Sequence, residues 1–282
     1  MFERLYVTSH YLVPHHLLSR MYGWLAYCRW SWFKNWAIAR LVRVYGVDLS
    51  EAAETDITKY AHFNAFFTRH LKHACRPIAE GLHTIASPVD GSVSEFGYIN
   101  EGRLLQAKGS DYSLHALLAD DALAEAFDGG AFATLYLAPK DYHRVHMPFS
   151  GRLMDMIYVP GRLFSVSPAS VSHVKGLFAK NERVICVFET SAGPMVVILV
   201  GAMIVGSIGT QWHGLVTPPR KRKIQTWNYE REPISLNKGA DMGHFELGST
   251  AIVLFPRGKV TWSEQLQVGQ SIRMGEKIGV II

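Results

Sequence analysis

Met195-Val196-Val197-Ile198-Leu199-Val200-Gly201-Ala202-Met203-Ile204-Val205-Gly206-Ser207-Ile208 holds two short apolar runs, 195–200 and 204–208, with Gly201 between them. Runs this short, rich in β-branched residues and broken by glycine, read as strands rather than helices. Working outward, similar runs recur at 134–137, 184–188, 251–255 and 278–282, punctuated by Gly and Pro at short intervals. The spacing predicts a mostly antiparallel β sandwich or barrel-like domain with few helices, over 86–282. One helix interrupts it. Ser113 is placed to cap 114–127, and Gly129-Gly130 stops it.

The first 85 residues have another character, which makes the whole chain α+β. Trp24, Trp30, Trp32 and Trp36 are four of seven tryptophans, set among Leu17, Leu18, Met21, Tyr22, Leu25, Phe33 and Leu41. Arg20, Arg29, Lys34, Arg40 and Arg43 interrupt the apolar residues every few positions. The longest uncharged run, 21–28, is far short of the roughly 20 residues a membrane span needs. Trp, Leu and basic residues at helical spacing fit a helix lying in a membrane interface, with Arg snorkelling to the headgroups. An ordinary helical hairpin packed on the rest of the chain is the alternative. Beyond it, Asp48 or Ser50 would cap a helix over 51–58, and 64–71 would form another. Residues 75–85, with Pro77 and Gly81, read as the boundary.

The chain has 282 residues, 48% of them hydrophobic, a net charge of +5 and a pI near 9.0. It can bury a sizeable core and is neither disordered nor collagen-like. The mild basic excess suits an anionic membrane, a nucleic acid or an acidic ligand without choosing among them. Pro218-Pro219-Arg220-Lys221-Arg222-Lys223 reads equally as a solvated turn or an anion-facing loop. Cys28, Cys75 and Cys186 are too scattered for a disulfide framework or a metal pair. Residues 1–10 lack a signal-peptide pattern, so the expected location is the cytoplasm or the cytoplasmic side of a membrane.

Four segments could carry chemistry: Ser87-Pro88-Val89-Asp90-Gly91, Asp141-Tyr142-His143-Arg144-Val145-His146-Met147-Pro148, Gly161-Arg162-Leu163-Phe164-Ser165-Val166 and Glu246-Leu247-Gly248-Ser249-Thr250. Each alone has an ordinary reading as a turn. Together they supply a serine, two histidines and an aspartate. Asp90, His146 and Ser249 could act as orienter, base and nucleophile. Residue chemistry alone would then say serine hydrolase, yet no G-x-S-x-G elbow is present and Ser249 opens a strand. The His143–His146 spacing could also serve zinc, although no further ligand set completes four.

An ordered series of segments resembles the phosphatidylserine decarboxylase family, pyruvoyl-dependent and of prokaryotic type. It runs through Phe63-Asn64-Ala65-Phe66-Phe67-Thr68-Arg69, Ser87-Pro88-Val89-Asp90-Gly91 and Tyr142-His143-Arg144-Val145-His146-Met147-Pro148. It continues with Leu163-Phe164-Ser165-Val166, Leu177-Phe178-Ala179-Lys180-Asn181-Glu182-Arg183, Val200-Gly201-Ala202-Met203 and Leu247-Gly248-Ser249-Thr250. The resemblance implies a proenzyme that cleaves itself between Gly248 and Ser249 into a β chain, 1–248, and an α chain, 249–282. Ser249 would attack the Gly248 carbonyl, convert the amide to an ester and, after elimination and hydrolysis, become a pyruvoyl group. Asp90 and His146 would be the processing base pair. Glycine at 248 leaves the attacked carbonyl unshielded and tolerates strain.

The pyruvoyl group, the sole cofactor implied, would take the amine of phosphatidylserine as a Schiff base and withdraw electrons as CO2 leaves. His143 is the candidate general acid that returns a proton before phosphatidylethanolamine departs. No metal, no pyridoxal phosphate and no nucleic acid enters. The partners implied are phosphatidylserine, the anionic inner-membrane surface met peripherally from the cytoplasmic side, and a second β/α pair in a homodimer. Three rivals remain at this level: a decarboxylase of another serine phospholipid, such as an ether lipid, a zinc peptidase on His143 and His146, and a non-enzymatic membrane-binding β module.

Overall fold

The computed structural model describes residues 15–107, 109–203, 207–219, 222–246 and 249–282. Leu247, Gly248, Ile204, Val205, Gly206, Arg220, Lys221 and the expected leaderless stretch 1–10 lie outside these described residues.

The apolar runs build one open, nine-stranded sheet. Its order is Gln225–Asn228, Gly151–Val159, Arg183–Thr190, Gly193–Val200, Ser249–Phe255, Ala131–Leu137, Gly91–Tyr98 and Ser271–Ile272, with Ser235–Leu236 also on Gly151–Val159. Every ladder in it is antiparallel. Side chains alternate between two cores. Ala251, Val253 and Phe255 join Val184, Cys186, Val197 and Leu199 on one side, whereas Ile252 and Leu254 join Ile185, Val187, Val196 and Ile198 on the other. Both faces are therefore buried, which is why these strands read as continuous apolar runs instead of alternating ones. Burying each Val, Leu or Ile is worth about 1.5–3 kcal/mol.

Small sheets belong to the first side. One is Gly214–Leu215, Ser207–Thr210, Asp241–Glu246 and Arg144–His146; another is Thr84–Ala86, Lys277–Ile281 and Val260–Trp262. Short helices cover the second side, through Leu114, Leu117, Phe127, Val171 and Phe178. The mostly antiparallel architecture with few helices matches the α+β expectation. The run 204–208 contributes Ser207–Thr210 as far as it is described.

Three helical expectations need correction. The stretch 114–127 is two helices, Leu114–Leu118 and Asp121–Phe127. Ser113 caps the first as expected, but Ala119 turns left-handed (φ 53°) and the Asp120 side chain accepts from Leu123 N, starting a second helix. No helix forms over 51–58. The Asp48 side chain instead accepts from Ser50 N and Asp56 caps only a 3-10 turn, Ile57–Lys59. These short carboxylates bond their own neighbouring amides and compete with the helix. The helix expected at 64–71 is shorter, Phe63–Phe67.

Ahead of the sheet stand His15–Ala26 and Ser31–Tyr45. At 12 and 15 residues they are about 18 and 23 Å long. None of the described helices is long and apolar enough to cross a membrane. The second ends at Gly46, which takes the left-handed φ of 66° and gives its N–H to Val42 O. Ile38, fully buried with Val47 and Phe66, pins that helix to the Phe63–Phe67 turn. Trp24 on the first helix, Trp30 ahead of the second, and Trp32 and Trp36 on the second are 62–78% exposed.

Candidate active site

Ser249 is the first residue of an interior strand, paired with Leu137 on the Ala131–Leu137 strand. By alternation its side chain faces the core of Ala251 and Val253. It is completely buried, and its Oγ has no hydrogen-bond partner among the described residues. A buried, unsatisfied hydroxyl costs about 1–3 kcal/mol, so the position is kept against stability. Gly248, before it, lies outside the described residues.

The chain leaving Leu137 turns at once. Asp141 N donates to Ala138 O, and the Asp141 carboxylate accepts from Ala138 N at 2.7 Å. Two residues on, His143 is fully buried against Phe67, with ring centroids 4.1 Å apart. Its Nδ1–H donates to Asp141 O at 2.8 Å, which leaves the Nε2 lone pair inward and unpartnered. Burial, with the charge of Arg69 adding to it, pushes this imidazole down to about 3 against the bond to Asp141, so it is neutral at ordinary pH. His143 has the strand parity of Val145 and Met147, which face the same core as Ala251 and Val253. A serine oxygen and an imidazole nitrogen, both buried and both unpartnered, thus face one core from neighbouring sheets.

His146 sits three residues later and so points to the other side of its strand. It is only partly buried. Its Nδ1–H donates to Gly239 O at 2.8 Å, and its Nε2 accepts from Tyr142 Oη–H at 3.0 Å. Burial holds its pKa below the usual histidine range. Asp90, in the turn before Gly91–Tyr98, is forked by Arg76 Nε and Nη2 at 2.9 and 2.6 Å and accepts from Met274 N at 2.8 Å. Arg76 also reaches Glu51 at 2.8 Å. Asp90 and His146 share no hydrogen bond here, although the Asp90 charge is felt at His146.

A phosphatidylserine decarboxylase sequence model matches residues 63–280, most of the chain. This chain belongs to that family. A second matching model, described only as PSD, covers residues 5–46. The chain is 55% identical to a phosphatidylserine decarboxylase proenzyme of Pseudomonas fluorescens, over 99% of this chain and 98% of that one. Similar proenzymes of Pseudomonas entomophila and Ectopseudomonas mendocina are 56% and 54% identical, over 99% and 98% of this chain and 98% of each of theirs.

Several of the decarboxylase segments turn out to be scaffold. Asn181 ties Phe164 N, Phe164 O and Gly201 O together at 2.9–3.0 Å, which joins three of them in one knot. Arg183 gives its guanidinium to the carbonyls of Ala116, Leu117, Ala179 and Asn181. Among the described residues no three His, Cys, Asp or Glu side chains gather to hold a metal ion.

Sequence reasoning missed Arg76, Tyr142 and Glu246. Nothing in their spacing announces Arg76 under Asp90 or Tyr142 on His146, although Tyr142 and Glu246 both stood within segments singled out. Glu246 is buried three positions before Ser249. It accepts from Tyr27 Oη–H, at the end of the first helix, and from Asn64 Nδ2 at 3.2 Å. Burial raises its pKa against the opposing hydrogen bonds with Tyr27 and Ser207. The N-terminal helices are thereby hydrogen-bonded to the strand that leads into the Gly248–Ser249 segment.

Proposed function

We propose that the chain is a phosphatidylserine decarboxylase that cleaves itself between Gly248 and Ser249 and works at an anionic membrane surface. Family membership over nearly the whole length supports the reaction. The observation that carries the self-cleavage is the orphaned Ser249 Oγ at the head of its strand. A buried oxygen without a hydrogen bond keeps its lone pairs for a carbonyl.

In the cleavage step Ser249 Oγ bonds to the residue 248 carbonyl carbon and its proton goes to a base. The C–N bond to residue 249 breaks, and the amine takes a proton. Asp90 and His146 are the assigned base pair, with Tyr142 holding His146 until it is needed. Elimination then releases the 1–248 carboxylate, and hydrolysis of what remains on residue 249 yields the pyruvoyl group with loss of ammonia. That group supplies an electron-withdrawing carbonyl that reacts with the substrate's amine. His143 moves a proton at the carbon that loses CO2, and the walls around it exclude water. The helical region, 1–85, is the membrane-associating part, and 86–282 is the catalytic part.

The test is the denatured mass of purified protein. Two chains, 1–248 and 249–282, are expected, the second blocked to Edman degradation by its ketoacid terminus. A single chain that nevertheless releases CO2 from phosphatidylserine overturns the mechanism.

Membrane attachment rests on the exposed Trp24, Trp30, Trp32 and Trp36 and on an apolar cavity of about 370 Å³ lined by Tyr22, Leu25, Phe33, Trp36 and Phe63. Aromatic side chains of this size each carry roughly 150–250 Å² of surface, and hiding even part of it at about 25 cal/mol/Å² binds a bilayer. Replacing the four tryptophans by serine together is expected to cut co-sedimentation with phosphatidylserine-containing vesicles at least about tenfold. Higher salt alone should weaken binding only in part, by screening the basic residues. Unchanged sedimentation of the fourfold variant would defeat the attachment.

A further inference from the structure

Arg69 is 5% exposed, yet its guanidinium makes no hydrogen bond or ion pair with any described residue. It lies over the face of Phe66, 5.0 Å from the ring centroid. A buried charge without a partner is costly and is rarely retained idle. The neighbouring guanidinium groups are all occupied: Arg76 by Asp90 and Glu51, Arg273 by Glu51, and Arg144 by Asp241. Arg69 instead lines a polar cavity of about 230 Å³ with Tyr142, Asp141, Lys140 and Gly91, and with Glu51 and Asp90, whose charges Arg76 and Arg273 already hold. Lys140, exposed beside it, adds a positive charge that no described carboxylate pairs.

The cavity borders the chemistry. The Arg69 charge acts on both Asp141 and His143. Gly91 packs so tightly on the next strand that an added Cβ would meet Tyr136 O at 2.1 Å, and Leu137, beside Tyr136, pairs with Ser249. Two strand spacings, about 10 Å, therefore separate this wall from the Ser249 backbone. The same cavity is lined by Gly46 and Asp48, just beyond the end of the Ser31–Tyr45 helix on the proposed membrane side.

We propose that Arg69 binds the phosphodiester of the lipid headgroup and so sets its position for decarboxylation. This deepens the decarboxylase reading and rests on it. The headgroup offers two anions, and the chemistry chooses between them. The carboxylate loses its charge as CO2 departs, so a cation holding it would stabilise the ground state more than the transition state. The phosphodiester keeps its charge throughout. A guanidinium on it binds ground and transition states equally, and its loss appears in KM rather than kcat. Arginine matches a phosphate's two oxygens in a fork, which lysine cannot do.

The full-length protein is assayed for CO2 release from phosphatidylserine in detergent micelles. Arg69→Gln is expected to raise KM roughly 10- to 100-fold while kcat falls less than about threefold. Arg69→Lys should recover part of the loss. Glycerophosphocholine, which has the phosphodiester but no primary amine, should inhibit the unmodified enzyme competitively, and Arg69→Gln at least about tenfold more weakly. Inorganic phosphate should inhibit less well than glycerophosphocholine. An unchanged KM, a loss confined to kcat, or inhibition by phosphate as strong as by the diester overturns the assignment. If neither variant folds, absence of glycerophosphocholine inhibition in the unmodified enzyme overturns it alone. Failure of the unmodified enzyme to release CO2 would instead sink the decarboxylase reading itself.

Discussion

A Ser249→Ala chain is expected to stay one polypeptide of full mass and to release no CO2 from phosphatidylserine above background, a loss on the order of 10⁴-fold or more. The substitution removes one oxygen, and with it both the nucleophile of cleavage and the atom from which the pyruvoyl carbonyl derives. It should leave the fold intact. Ser249 sits in a fully buried strand between Leu137 and the Gly193–Val200 ladder, and its Oγ bonds to nothing. Deleting a hydroxyl that has no partner orphans no other group and relieves a desolvation cost. The variant should therefore unfold at a temperature no lower than unmodified chain caught before cleavage, with up to about 1 kcal/mol of added stability. Such an exchange of stability for reactivity is what a self-processing site requires. Denatured mass, labelled CO2 and thermal unfolding measure the three consequences. Cleavage of this variant would remove Ser249 as nucleophile. A clear loss of stability would mean that its oxygen is hydrogen-bonded after all.

The strands were legible because burial on both faces makes them apolar at every position. The runs 195–200 and 251–255 show this directly, and glycine marks where they stop. Helix boundaries were less legible because side chains decide them locally. Leu114 to Phe127 keeps an apolar period throughout, and the left-handed Ala119 with the Asp120 carboxylate, bonding forward to Leu123 N, breaks it. Asp48 and Asp56 likewise spend their oxygens on nearby turns rather than on a helix. At the site, the residue types and their order were visible, since Ser249, His143, His146 and Asp90 all lie in segments that stand out. Their partners were not. Arg76 finds Asp90 through a fold that returns from the boundary segment, and Gly239 reaches His146 across 93 positions. The i, i+3 histidine spacing would place both rings on one face of a helix. On the edge of a strand it sends them to opposite sides, so one is sealed against Phe67 and the other bonds Tyr142.

That separation makes the second expected result a crossed one. His146→Ala should leave the chain largely uncleaved, slowed by about 10²-fold or more, and Asp90→Asn should act in the same direction. Asp90→Asn also loosens the Arg76 fork, so circular dichroism must show that the fold survives. His143→Ala should still be cut at Gly248–Ser249, yet its CO2 release should drop by about 10²- to 10⁴-fold for want of the imidazole that takes a proton at its free Nε2 and returns it to the carbon losing CO2. Tyr142→Phe frees His146 Nε2 and is the finer probe: faster cleavage fits a base held in reserve, slower cleavage a base that Tyr142 orients.

The competing outcome has its own structural support, because of these two imidazoles it is His143 whose Nε2 has no hydrogen-bond partner. If His143→Ala fails to cleave while His146→Ala matures normally, the processing base is His143 and the Asp90–His146 assignment falls. An independent readout comes from pH. Burial pushes folded His143 down to about 3, so folding favours its neutral form. The stability it lends is full above its unfolded value of about 6.5 and is lost as pH falls through that value towards 3. Each such histidine steepens the acid loss by up to about 1.4 kcal/mol per pH unit. His146 and His244, also lowered by burial, contribute in the same sense. A folded His143→Ala chain should therefore lose about 1 kcal/mol less than its parent between pH 6 and pH 5 in denaturant titrations. Equal slopes in the two proteins would mean that His143 is solvated or paired, and would withdraw the buried, neutral imidazole from both proton-transfer steps.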